Sequence, residues 1–69
     1  MERVAVVSSS IASVGYDAAT MTMEVEFNRG DLYQYFDVPE HIYQGLLLSE
    51  SCGRFFHTNV RDLYRFAKL

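Results

Sequence analysis

Seven residues limit what this chain can fold into more than any others. Met21-Thr22-Met23-Glu24-Val25-Glu26-Phe27 alternates without a break, apolar at 21, 23, 25 and 27 and polar between. Successive side chains point to opposite sides only in an extended strand, so the segment has one apolar face and one polar face. Wound as a helix, the same residues would scatter their apolar groups around the axis. Ile11–Tyr16 precedes it as a second β-rich segment, with Asp17-Ala18-Ala19-Thr20 as the turn between them. Asn28-Arg29-Gly30 is a hairpin signal in which glycine supplies a positive φ, and Leu32–Phe36 is the returning strand. Val4–Val7 reads as a short additional edge strand.

Loop length in this hairpin decides where the tyrosines point. A two-residue loop pairs Phe27 with Leu32 and sets Tyr33 and Tyr35 beside Glu24 and Glu26. A three-residue loop with a bulge at Gly30 pairs Phe27 with Asp31 and puts both tyrosines on the face of Met23 and Val25. A one-residue slip reverses every side chain, so only one register holds. The second keeps polar with polar along both strands, and it is the expected one. Tyr33 and Tyr35 then lie inward, with their hydroxyls reaching the rim.

Helical spacing takes over after the strands. Val38-Pro39-Glu40 places proline at the expected first helical position with an acid in the first turn. Ile42, Tyr43, Leu46 and Leu47 form one buried stripe. Ser51 is the expected N-cap of a second helix from about Cys52 to Asp62, with Phe56, Val60 and Leu63 inward. Residues 64–66 fit either a continued helix or a return to the sheet. The expected fold is α+β: a three- or four-stranded antiparallel β-meander followed by two short helices packed on one face. The opposite face, bearing Thr22, Glu24, Glu26 and Gln34, is expected to be wet and acidic, its two glutamates serving solubility and edge protection.

At 69 residues there is room for one domain, and 49% hydrophobic residues with ten aromatic rings suffice for a core. A homodimer hiding further apolar surface is compatible with this size. The lone Cys52 has no intramolecular disulfide partner, no apolar run approaches a membrane span, and Met1–Val7 lacks the features of a signal peptide. These features set a cytoplasmic expectation without membrane contact.

Ordered motifs along most of the chain resemble the KTSC domain, a small module found alone or at the C-terminus of some lysyl-tRNA synthetases. They are Ser8-Ser9 before Ile11, Gly15-Tyr16-Asp17, the strand ending at Phe27 with Gly30, Tyr33-Gln34-Tyr35, Val38-Pro39, and Ser51-Cys52-Gly53-Arg54-Phe55-Phe56 leading to Val60-Arg61. His57 departs from the pattern, where an asparagine-like residue is expected. The resemblance implies a single KTSC-like domain over residues 1–69; the synthetase neighbourhood suggests contact with RNA.

No catalytic constellation is visible. Cys52 and His57 do not share a helical face, and His41, Cys52 and His57 lack zinc-site spacing. The glycines are isolated, so no phosphate loop is present, and neither enzyme activity nor a cofactor or metal is expected. Charge is divided unevenly. Residues 1–50 carry two basic against eight acidic side chains, whereas residues 51–69 carry four basic against one acidic, within a net charge of −3. Were the second helix to continue, Arg54, Arg61, Arg65 and Lys68 would share one side, interleaved with Phe55, His57 and Tyr64. Such a surface would hold RNA weakly, through stacking and phosphate contacts. The other expected function is protein–protein association, as an appended docking unit or by strand addition at a sheet edge.

Overall fold

A computed structural model describes residues 1–69. Its elements are β1 (Arg3–Ala5), β2 (Ile11–Asp17), β3 (Thr22–Phe27), β4 (Leu32–Tyr35), α1 (Glu40–Leu48), α2 (Cys52–Asn59) and β5 (Phe66–Lys68). The strands form one antiparallel sheet in chain order. The meander is therefore five-stranded, because residues 66–68 return to pair with β4.

Hairpin register follows the three-residue loop. Met23 faces Tyr35, Val25 faces Tyr33 and Glu24 faces Gln34. Phe27 N–H donates to the Asp31 carbonyl at 2.9 Å, and Gly30 sits at φ +99°, which disfavours any side chain. Met21 is not part of the strand: it lies in the turn at φ 54° and is exposed. In β2 a bulge between Ile11 and Ser13 interrupts the alternation. Ile11 and Val14, three apart, both become fully buried.

The core lies between the inner face of the sheet and the helices. Val14, Met23, Val25 and Tyr35 meet Tyr43 and Leu46 from α1 and Cys52 and Phe56 from α2. Val38 and Val60 close it at the helix boundaries. Pro39 is the N-cap of α1 rather than its first helical residue (ψ 146°), while Ser51 caps α2 by accepting from Arg54 N–H at 3.3 Å. The second helix is shorter than its sequence suggests. Thr58, Asn59 and Val60 are weak helix formers, and Val60 and Arg61 N–H both converge on the Phe56 carbonyl as the chain turns toward β4. Leu63 consequently falls outside the inner stripe and is exposed.

The outer sheet face also departs from expectation. No helix covers it, yet Thr22 and Glu24 are buried, at 9% and 7% exposure. Arg3, Gly15, Glu24, Gln34 and Ala67 stand in one row across the five strands. Because Gly15 has no side chain, Arg3 crosses it to pair with Glu24; a Cβ there would meet the Glu2 carbonyl oxygen at 2.6 Å and the Arg3 stem at 3.1 Å. Gln34 donates to Glu24 at 3.1 Å, Arg3 Nε to Ser13 at 3.0 Å, and Ser13 onward to Glu26 at 2.9 Å. Burial alone would raise the pKa of Glu24, but the bonds from Gln34 and Arg3 and the guanidinium charge outweigh it and hold the carboxyl below its ordinary value. Glu24 is thus a buried tie between strands, on a central strand rather than an edge.

Candidate functional site

Where α2 overhangs the β3–β4 hairpin and β5, the inner layer opens into a cleft of about 750 Å3. Its apolar floor is five rings: Phe27, Tyr33, Tyr35, Phe56 and Phe66. Three edge-on contacts fix the deep part, Phe27–Tyr33 (5.6 Å, 88°), Phe27–Phe56 (5.4 Å, 77°) and Tyr35–Phe56 (5.3 Å, 79°). Phe66 of β5 leans over Tyr33 and Tyr35 at 5.8 and 5.6 Å and remains 57% exposed. Neither Tyr33 nor Tyr35 spends its hydroxyl on a hydrogen bond within the chain, whereas Tyr16 donates to the Val38 carbonyl. Burial, reinforced by the neighbouring Tyr33, pushes the Tyr35 phenol up to about 12.

The rim is polar and charged. His57 Nδ1 lies 3.2 Å from Arg61 Nη1 on one wall. Arg29 and Asp31 of the hairpin stand on another, with Ser9 and Ser10 nearby. Asp31 is engaged by Lys68 at 3.5 Å. Arg29 and Arg61 have no carboxylate within ion-pair distance.

Of the residues expected to form a basic helical face, the structure brings only His57 and Arg61 to this cleft. Arg54 borders a separate, smaller hollow beside Ser51 and Asn59. Phe55 is wedged between the helices: its ring lies 2.8 Å from where a Cβ on Gly45 would stand. Tyr64 is half-buried against the core. Arg65 pairs with Asp37 at 3.0 Å and lies 5.7 Å over the Phe36 ring. Lys68 is on β5. One continuous side carrying Arg54, Arg61, Arg65 and Lys68 does not form, because the helix ends at Asn59.

Cys52 is buried, with its thiol 3.4 Å from the Leu46 carbonyl. No three His, Cys, Asp or Glu side chains gather around a common point suited to a metal ion. No helix is long and apolar enough to cross a membrane.

The family model of the KTSC domain matches residues 7–64, most of the chain. The chain belongs to the KTSC domain family. A crystal structure of a KTSC domain protein from Yersinia pestis superposes with a TM-score of 0.93 at 36% identity, covering 99% of this chain and 96% of that one. A protein of Stutzerimonas stutzeri is 49% identical over 57 residues, 83% of this chain and 80% of its own length. A lysine–tRNA ligase of Trichormus variabilis is 31% identical over 61 residues, which are 88% of this KTSC domain but 11% of the ligase. The family model stops at residue 64, before Phe66 and β5, whereas the Yersinia likeness extends over nearly the whole fold.

Proposed function

We propose that this KTSC domain is a non-enzymatic docking module that holds a partner protein in the aromatic cleft under α2. The observation carrying this reading is the ring floor. Eight large apolar side chains are exposed, and Phe66 is the one aromatic ring among them; it lies open beside two tyrosines whose hydroxyls make no bond within the chain. Rings with a polar tip and unpaired arginines are the side chains that dominate protein contacts. The relatives fit a portable unit, since the same domain occurs in short chains and within a much longer ligase.

RNA binding through the basic, aromatic C-terminal third is the competing reading, and the ligase relatives favour it. It has lost its alignment of cations: Arg65 and Lys68 are paired with Asp37 and Asp31, and Phe55 is packed between helices. Few free cations on a chain of net charge −3 make a weak grip on a phosphate backbone. Affinity capture from a lysate of the source cell, with and without nuclease, separates the two. The expected result is a protein captured regardless of nuclease and lost with Phe66→Ser or Arg61→Glu, both surface changes that leave the circular dichroism spectrum intact. Capture that disappears with nuclease, or survives both substitutions, contradicts the docking reading.

A further inference from the structure

We propose that the partner enters as an extended peptide that adds a sixth strand to β5, with apolar side chains in the cleft and acidic ones between Arg29 and Arg61. This rests on the docking reading and specifies its ligand. The backbone argument comes from the ladder. Phe36 N–H donates to the Arg65 carbonyl at 2.9 Å and Leu69 N–H donates to the Leu32 carbonyl at 2.8 Å. In an antiparallel pair, polar groups alternate between neighbours, so residues 65, 67 and 69 face β4 while Phe66 and Lys68 turn their N–H and C=O groups away. As β5 ends the sheet, those groups have no strand partner.

An open edge by itself fits any chain. Here it adjoins the cleft, because Phe66 belongs both to the edge and to the ring floor. A strand laid along β5 would place alternate side chains on the inner face, beside Phe66 and toward Tyr33 and Tyr35. Charge decides what those side chains are. Arg29 and Arg61 border the cleft without carboxylate partners, Asp31 is already neutralised by Lys68, and Asp62 is the one unpaired acid on the rim, so free cations outnumber free carboxylates there. The complement is an acidic, apolar segment. The opposite edge, β1, has no such neighbour: Arg3 there is tied to Glu24, and no cleft adjoins it.

Titration of the 13C,15N-labelled full chain with defined probes tests this. The probes are an acetylated, amidated heptapeptide with phenylalanine and glutamate taking turns at the odd positions and threonine at the even ones, its lysine-for-glutamate counterpart, the acidic peptide N-methylated at alternate backbone positions, and a twelve-nucleotide single-stranded RNA. The acidic peptide is expected to shift the Phe66 and Lys68 amides and the Tyr33 ring. The lysine and N-methylated forms should not, and Arg29→Glu with Arg61→Glu should weaken binding roughly fivefold or more. The proposal is overturned by no response to the acidic peptide at millimolar concentration, by an equal response to the lysine form, by a response away from β5, or by RNA shifting the same amides more tightly. Concentration-dependent shifts at β5 without any probe would make a second copy the occupant and also overturn it. A failed peptide together with nuclease-resistant, cleft-dependent capture removes the strand mechanism alone; failure of both removes the docking reading.

Discussion

Phe56→Ala should melt at least roughly 12 °C below the parent domain and leave a substantial unfolded fraction at 25 °C. Phe56 is 6% exposed and is the ring that α2 inserts between Phe27 and Tyr35, at 5.4 and 5.3 Å. Removing a buried phenyl costs about 3–5 kcal/mol, from lost transfer energy and the space left behind. A domain this size is held by only about 3–10 kcal/mol, taking roughly 0.05–0.15 kcal/mol per residue. In domains of this length ~1 kcal/mol corresponds to roughly 4–8 °C. Phe66→Ala removes the same group from the rim, where most of it already meets water, and is expected to shift the melting point by a few degrees at most. Thermal circular dichroism on the two variants checks both statements. Equal shifts would mean that the deep and open halves of the floor are not the distinct parts described.

The second large effect concerns the polar row on the other face. Glu24→Ala is expected to cost about 1–3 kcal/mol, because Arg3 and Gln34 lose the carboxylate they both bond. The low end applies if Arg3, about a third exposed, turns out to solvent. The same contact predicts an acid response of definite sign. A carboxyl held below its ordinary value of 4.5 in the fold contributes stability that is complete above that value. That contribution is lost as pH falls through the depressed folded value. Glu24→Gln keeps the shape and removes the titration, so its stability should vary less across this acid window than that of the parent. Urea unfolding at several pH values, with hydrogen exchange at Val4 and Val6, whose amides face β2, is the measurement. Early exchange on β1 is expected, since Arg3 is the side chain that ties this strand to the centre of the sheet. An unchanged acid profile for Glu24→Gln would show that the tie is not operating.

These two faces also show how far the sequence could be read. Strict alternation over 21–27 locates the central strand in all but Met21, and Asn28-Arg29-Gly30 locates the turn, because period and glycine φ are local properties. Matching polar with polar then gave the register that sends Tyr33 and Tyr35 inward. What stayed hidden depended on contacts between distant segments. Glu24 reads as a wet acid until Gly15 is seen to let Arg3 pass over β2. Arg61, Arg65 and Lys68 read as one helical side until the chain breaks at Asn59 and returns to β4. Phe66 carries only a weak strand signal in Tyr64-Arg65-Phe66-Ala67-Lys68, so the fifth ring of the cleft went unread. Arg29 reads as a turn residue, and its place on the cleft wall follows only once α2 is laid over the hairpin.

The claim on which the functional account stands is that partners meet this domain at the cleft and not elsewhere. Photo-crosslinking from single positions tests it most directly, with a benzophenone side chain placed in turn at Phe66, Arg29, Leu48 and Ala5 and the domain exposed to cell lysate. Leu48 and Ala5 are exposed and do not line the cleft. A nuclease-resistant protein adduct formed from Phe66 and Arg29 and absent from Leu48 and Ala5 is the expected result. Adducts of equal yield from all four positions, or adducts to RNA from the cleft positions, would contradict it.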